Sequence, residues 1–414
     1  MTSLTRTVVA LLALACVPAL AAGQGGAQGA GQAAAQVDKG SIPPSSSRTV
    51  AALDGRLRVP EGFKVSLFAD SVRQARWMAL GPDGAVYVTA RRGNHVLRLA
   101  DTNNDGVADT RDTVVRGVEG AHGMAFRNGF LYIAALRGVW RTRLDSRGWP
   151  TGEPEQINEY PPTNGHNTRT IVFGRDGSMY VTIGSSCNIC IEPNREQATV
   201  LRFDEGGKNG RVYAAGLRNA VGIALHPTTG DIWVSQHERD NLRPDWQNLP
   251  HEEINILRDG AHYGWPFCHG DRVPNPDAVV ADSVAAGVCA RTVPPALAIQ
   301  AHAAPLGLTF LDRATMFPAD YRGDALLALH GSWNRQVPVG ANVVRVRVRD
   351  GRPVGYEEFV GGWQQDGGNN RGAIRSGRPV DVLVYRDGSV LISDDGQQSM
   401  PDGTNIGRIY RVYR

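Results

Sequence analysis

One short pattern occurs six times between residues 80 and 400: a turn containing glycine, then an apolar or aromatic strand. The clearest copies are Pro82-Asp83-Gly84-Ala85-Val86-Tyr87-Val88, Arg127-Asn128-Gly129-Phe130-Leu131-Tyr132-Ile133 and Arg175-Asp176-Gly177-Ser178-Met179-Tyr180-Val181. The others lie at residues 229–234, 322–327 and 386–392. A short apolar strand precedes each turn, so the unit is a tight hairpin with Asp-Gly or Asn-Gly at its tip. A second element keeps step, a strand alternating apolar residues with arginine or another polar residue, at 96–99, 139–142, 200–203, 254–257, 343–346 and 409–412. Successive turn glycines are 45, 48, 53, 93 and 65 residues apart, the size of a four-stranded propeller blade with two copies enlarged by insertions. The expected fold is all-β, one six-bladed β-propeller with four-stranded antiparallel blades over residues 51–414. A solenoid needs a more regular period, and two sandwiches would not share one repeat. With 49 Gly and 24 Pro, and no sustained 3.6-residue periodicity, a mostly helical fold is disfavoured. The segment 63–68 is placed to pair into the last blade and close the ring.

In a propeller the innermost strand of each blade lines the central channel, so the residue just before it sits on the rim. Six readings of that position give Arg76, His122, His166 with Asn167, Arg218 with Asn219, His302, and Arg378, without a carboxylate. Such a ring offers forked donors for a planar polyanion and a neutral imidazole for taking a proton. For any one histidine, a satisfied structural hydrogen bond is the competing role.

Several ordered motifs resemble the soluble glucose/sorbosone dehydrogenases. They are Gly165-His166-Asn167-Thr168-Arg169, Gly216-Leu217-Arg218-Asn219 before Ile223-Ala224-Leu225-His226-Pro227, Glu252-Glu253-Ile254-Asn255 and Tyr263-Gly264-Trp265-Pro266. Further motifs, His302-Ala303-Ala304-Pro305-Leu306-Gly307, His330-Gly331-Ser332-Trp333-Asn334-Arg335 and Cys187-Asn188-Ile189-Cys190, point to the sorbosone-dehydrogenase-like, aldose sugar dehydrogenase-like branch. The resemblance covers roughly residues 60 to 414. It implies a propeller that uses pyrroloquinoline quinone (PQQ) to oxidise a sugar, passing electrons to an external acceptor, a cytochrome or quinone. It also implies roles: His166 as the base that takes the substrate hydroxyl proton, Arg218 polarising the quinone oxygen, and Asn219, Arg335 and Arg378 contacting the cofactor. In the glucose enzymes a calcium ion joins the cofactor to backbone carbonyls at a Gly-Pro after the blade-four strand. Here that stretch reads Gln236-His237-Glu238-Arg239-Asp240.

A separate calcium signal is Asp101-x-Asn103-x-Asp105-Gly106-x-x-Asp109-x-x-Asp112, with oxygen ligands at loop positions 1, 3, 5, 9 and 12 and Gly at 6. An acidic, solvated turn is the alternative. Two other functions share the architecture. A calcium-dependent lactonase needs inward carboxylate and amide ligands, which the rim reading lacks, and a non-catalytic binding platform needs neither His166 nor Arg218.

The remaining signals concern export. Arg6 precedes an apolar run from Thr7 to Ala22, and Ala19-Leu20-Ala21 has the small-x-small form of a cleavage site, so 1–21 reads as a secretory signal. The run is too short and Pro-interrupted to span a bilayer, and Ala13-Leu14-Ala15-Cys16 is a poor lipobox. Residues 22–50, rich in Gly, Ala, Gln, Pro and Ser, read as a flexible tether. Beyond Cys16, four cysteines suggest local bridges Cys187–Cys190 and Cys268–Cys289, with a zinc site or redox dithiol as the competing readings. A periplasmic or secreted protein is expected. The 44 Lys+Arg against 41 Asp+Glu are dispersed, which gives a nucleic-acid groove or a membrane patch no support.

Overall fold

The computed structural model describes residues 42–414 except 54, 91–93, 164, 279, 365–374 and 397–405, and the side chain of residue 282. The expected signal and most of the tether lie outside the described residues. Six blade sheets are present, each with the expected four antiparallel strands, and that of blade three carries Ala261–His262 as a short fifth, parallel strand. Blade one is Ala75–Leu80, Val86–Ala90, His95–Ala100 and Thr110–Arg116; blade two is Met124–Arg127, Phe130–Ala135, Gly138–Leu144 and Pro150–Gln156. Blade three is Ile171–Phe173, Met179–Ile183, Thr199–Phe203 and Arg211–Ala215; blade four is Asn219–Leu225, Ile232–His237, Glu252–Ile256 and Leu297–Ile299. Blade five is Pro305–Phe310, Ala325–Leu329, Asn342–Arg349 and Arg352–Val360. Blade six takes Pro379–Val384, Val390–Asp394 and Arg408–Tyr413 from the end of the chain and Lys64–Ala69 from its start, so the ring closes through the segment expected to close it.

The repeated Asp and the repeated Arg form one device. The arginine on the third strand reaches back to the turn aspartate in blade one (Arg98 to Asp83, 2.6 Å), blade three (Arg202 to Asp176, 2.9 Å) and blade six (Arg411 to Asp387, 2.5 Å). In blade five Arg345 bonds Asp324 at 2.7 Å, just beyond the turn glycine. The Asp-Gly turn needs its glycine, as Gly84 takes φ +78° while donating its N–H to the Gly81 carbonyl. Of these pairs only Arg202–Asp176 is half-exposed, where an ion pair contributes little. Asp324 differs, because it is fully buried and also accepts the Val348 N–H and the Arg349 guanidinium. Asp324→Ala therefore removes the buried carboxylate of Arg345, leaving it only that of the exposed Asp320 at 3.3 Å, and chemical denaturation should show a loss of about 3 kcal/mol. A loss under about 1 kcal/mol would show the cluster to be energetically idle.

Neighbouring blades are joined by hydroxyl stitches beneath the rim. In blade one Thr89 Oγ1 accepts the Trp77 N–H and donates to the His122 carbonyl of blade two. Ser235 joins Gly222 to Leu306, and Ser393 joins Asp381 to the Arg76 carbonyl, closing blade six on blade one. Each first strand bulges there, so an unpaired N–H is available to the hydroxyl. Between blades the faces are apolar, and Trp77, Val221, Leu306 and Val380 from four inner strands meet as one buried cluster in the ring.

The large spacing in blade four holds residues 257–296, with the helix Asp282–Cys289 and the Cys268–Cys289 disulfide; Cys187–Cys190 is also formed. The described end of the expected tether is structured. Thr49–Ala52 pairs with Leu57–Pro60, Glu358 N–H donates to the Pro43 carbonyl, and Ser46 N–H donates to Glu357. These contacts cover the outer edge of blade five, which would otherwise present an unpaired strand. Among the described residues no helix is long and apolar enough to cross a membrane.

Candidate active site

First strands start, and second strands end, at the same face of the ring, because the two run antiparallel. At that face lies a cavity of about 720 Å³. Arg76, His122, His166, Asn167, Arg218, Asn219, His302 and Arg378, all eight rim residues, line it. That volume suits a small-molecule ligand.

His166 is held by the end of the second strand of its own blade. Its Nδ1 lies 3.1 Å from the Ser185 carbonyl and 2.9 Å from Ser185 Oγ, and that hydroxyl donates to the Cys187 carbonyl at 2.7 Å. Both oxygens can only accept from the ring, so Nδ1 carries the hydrogen and Nε2 carries the lone pair. Burial, and then the Arg218 charge, push the imidazole down to about 3, which keeps it neutral. The backbones approach so closely that a Cβ on Gly184 would collide with the His166 Cβ.

Arg218 is buried, and its donors are spent on a shaped cradle. Nε donates to the Asn188 carbonyl (3.0 Å), Nη1 to the Glu238 carbonyl (2.7 Å), and Nη2 to Asn188 Oδ1 (3.0 Å) and Asp240 Oδ2 (3.3 Å). Beside it, Asn219 Nδ2 donates to His237 Nδ1, whose Nε2–H is held by the Pro305 carbonyl at 2.8 Å. Asn219 Oδ1 is buried with no hydrogen-bond partner among the described residues. Across the cavity Asp395 joins Arg76 (2.9 Å) and His330 (3.0 Å), while Arg378 donates to the His330 and Gly331 carbonyls. Burial alone would raise the Asp395 carboxyl, but His330 and Arg76 hold it well below the usual carboxylate range. His302 donates Nε2–H to the Trp246 carbonyl, a structural bond of the kind expected for a lone histidine.

Two expectations need correction. The rim reading contained no carboxylate, yet Glu119, Glu238, Asp240 and Glu252 line the cavity, so a shortage of acidic ligands does not argue against a metal there. Burial pushes Glu238 up to about 7 and Glu252 up to about 8. Arg335 does not line the cavity; it donates to the carbonyls of Val337, Gln247 and Ala301 and to Asn248, bracing a loop instead. The acidic loop lies apart from the cavity, as its place after the third strand of blade one implies, and does not gather its five ligands. Asp101 accepts the Asp105 and Gly106 N–H groups, and Asn103 bonds Asp105. Asp109 turns onto Thr102, and Asp112 sits in the outer strand opposite Arg98. Among the described residues no three of these carboxylates bring their oxygens together.

Five of the residues that rim counting missed share one location, while Glu119 and Glu252 lie elsewhere on the wall. His237 and Glu238 end the second strand of blade four, His330 follows that of blade five, Asp395 that of blade six, and Ser185 that of blade three. Reading the end of each second strand as a second rim position would have found them.

A family model described as TrAA12-like matches residues 57–398. An uncharacterized protein of Borreliella burgdorferi is 28% identical over 388 residues, 89% of this chain and 94% of that one. A PQQ-dependent sugar dehydrogenase of Hypocrea jecorina is 29% identical over 330 residues, covering 66% and 72%. A PQQ-dependent pyranose dehydrogenase of Coprinopsis cinerea is 26% identical over 335 residues, 70% of this chain but only 45% of that one. Among solved structures, the Trichoderma reesei carbohydrate-active enzyme of family AA12 superposes with TM-score 0.73 at 20% identity, covering 88% of this chain and 99% of that one. The holo PQQ domain of the Coprinopsis cinerea pyranose dehydrogenase gives 0.71 at 21%, covering 88% and 100%. These structural likenesses carry the fold.

Proposed function

We propose, for a chain that belongs to the TrAA12-like family, the activity of an exported PQQ-dependent dehydrogenase acting on a sugar hydroxyl. The observation that carries this reading is that one cavity holds a neutral imidazole with its lone pair on Nε2 and a buried, fully cradled guanidinium. The relatives named for PQQ and sugars supply the substrate class.

The residues present fit the cofactor. PQQ is a planar polyanion, and Arg76, Arg218 and Arg378 bring guanidinium groups to the wall around it, with neutral imidazoles between them. The buried Asn219 Oδ1 lacks a donor, as a wall built for a ligand would leave it. Arg218, Asn219 and Arg378 would hold PQQ. Glu238 and Glu252, which burial keeps close to protonation, would exchange those protons for a cofactor-linked calcium ion in place of the absent Gly-Pro.

When bound, PQQ would supply the acceptor for the hydride of the carbinol carbon. His166 takes the hydroxyl proton on Nε2 while Ser185 holds Nδ1–H and so orients the ring. The Arg218 charge makes imidazolium costly, which favours onward release of the proton. Arg218 presents positive charge to the oxygen that gains electron density. Electrons pass on to an external acceptor, a cytochrome or quinone. The two disulfides suit an oxidising compartment, periplasmic or extracellular.

Titration of the purified protein with PQQ and calcium, followed by dye reduction over an aldose and polyol panel, tests the reading. Saturable PQQ binding and reduction with at least one sugar are expected. Absence of PQQ binding would sink it, leaving a binding platform if nothing turns over and a lactonase if lactones are hydrolysed without PQQ.

A further inference from the structure

The Cys187–Cys190 disulfide encloses two residues, and one of them touches almost everything that orients Arg218. The Asn188 carbonyl accepts both Arg218 Nε–H at 3.0 Å and Trp265 Nε1–H at 3.1 Å. Its Oδ1 accepts Arg218 Nη2–H at 3.0 Å and the Asp240 N–H at 2.8 Å, and its Nδ2 donates to the Asp240 carbonyl at 3.0 Å. Three separate pieces of chain, the entry to the first strand of blade four (Arg218), the loop after its second strand (Asp240) and the blade-four insertion (Trp265), therefore meet on one amide side chain and its own carbonyl.

The same loop reaches His166. Ser185 N–H donates to the Arg218 carbonyl at 2.7 Å, while Ser185 O and Oγ hold His166 Nδ1–H. The Ser185 hydroxyl is in turn anchored on the Cys187 carbonyl. On the outer side Glu192 accepts Ser186 N–H and Oγ–H, each at 2.7 Å, and ties the far end of the turn. The turn buries little apolar surface, since Ile191 is 49% exposed and Ile189 is only half-buried, and so has little packing to hold it. The disulfide supplies the missing constraint by limiting the conformations open to the residues between the cysteines.

We infer that Asn188, fixed by the Cys187–Cys190 disulfide, is the positioning residue that aims the Arg218 guanidinium into the cavity, and that the same loop aims His166 through Ser185. It rests on the dehydrogenase reading for what Arg218 then does, but not for the positioning itself. The geometry explains why two polar groups from different blades keep one relative placement: both are referred to the residues 185–188. Arg218 also illustrates why an arginine, rather than a lysine, stands here, since four of its N–H groups are met by acceptors in a fixed fork.

The test separates positioning from catalysis. In the cofactor-free protein, the Arg218 Nη2–H signal in nitrogen-edited NMR should exchange slowly with water, since Asn188 Oδ1 accepts it; in Asn188→Ala and in Cys187→Ser/Cys190→Ser it should exchange about tenfold faster or more. With PQQ and sugar, Asn188→Ala should lower kcat about 10- to 100-fold with little change in KM. The same substitution made on top of Arg218→Ala should cost almost nothing more, because its effect passes through the missing side chain. Unchanged exchange in both variants, or fully additive losses in kcat, would overturn the inference. If Asn188→Ala does not fold, the serine pair and its own cycle with Arg218→Ala decide the matter by the same criteria. Failure of the wild-type protein to bind PQQ would remove the dehydrogenase reading, while the exchange measurement on the cofactor-free protein would still judge the role of Asn188.

Discussion

Replacing His166 with alanine is expected to lower turnover by about 10² to 10⁴, the usual cost of losing a positioned general base. PQQ binding should be nearly unaffected, since the cationic side chains that would hold the cofactor are untouched. One feature of the site fixes which atom is basic, and a second fixes the resting charge of the ring. The hydrogen on Nδ1 is committed to Ser185, so Nε2 is the basic atom, and the ring is pushed down to about 3 by burial and by Arg218. The sign follows directly: a histidine whose protonated form is disfavoured stays neutral far below the pH at which a free imidazole titrates. In the cofactor-free protein the His166 ring resonances should therefore show no inflection between about pH 8 and pH 5. A His166→Ala variant with full turnover would move the base to another histidine of the cavity, such as His122, whereas a ring that titrates near 6.5 would show that burial and Arg218 do not depress it.

Arg218→Ala should impair both binding and chemistry. An electrostatic partner aimed at developing charge is worth about 10² to 10³ in turnover, and loss of its positive charge should also weaken PQQ affinity. Excess cofactor should recover only the binding part. Arg218→Lys makes the comparison cleaner, because the charge is retained while the fork onto Asn188, Glu238 and Asp240 is lost. Affinity should return further than turnover in that variant. If Arg218→Ala at saturating PQQ kept turnover within about threefold of the parent, the guanidinium would be a binding group only.

What is legible in the amino-acid sequence is whatever is encoded at short range. Asp83-Gly84 and Asn128-Gly129 announce hairpins from adjacent residues, and Arg98, Arg202 and Arg411 sit at constant places in the third strand. Each is a local pattern with a period of two or a fixed turn, so blade number, strand order and the closing segment before the first repeat follow from them. The disulfide partners are legible for the same reason, since each bridge is short in sequence. The eight rim residues follow from one topological fact, that a first strand begins at the channel mouth.

The tertiary structure alone decided what depends on how far an insertion reaches. No periodicity says that Asn188 meets Arg218 and Asp240 across 30 and 52 positions, that Trp265 from the blade-four insertion closes over it, or that Asp395 reaches Arg76 across 319. Arg335 shows the converse. Its motif placed it at the cofactor, and loop packing turned its guanidinium onto the carbonyls of Gln247 and Ala301. The acidic loop from Asp101 to Asp112 had the spacing of a cation site, but Asp112 is drawn into the outer strand by ladder pairing with Arg98. Backbone hydrogen bonds between neighbouring strands are set by short-range alternation and are legible in order. Side-chain placement in a cavity depends on which long-range donors and acceptors are satisfied once the blades have closed, and that balance exists only in the folded ring.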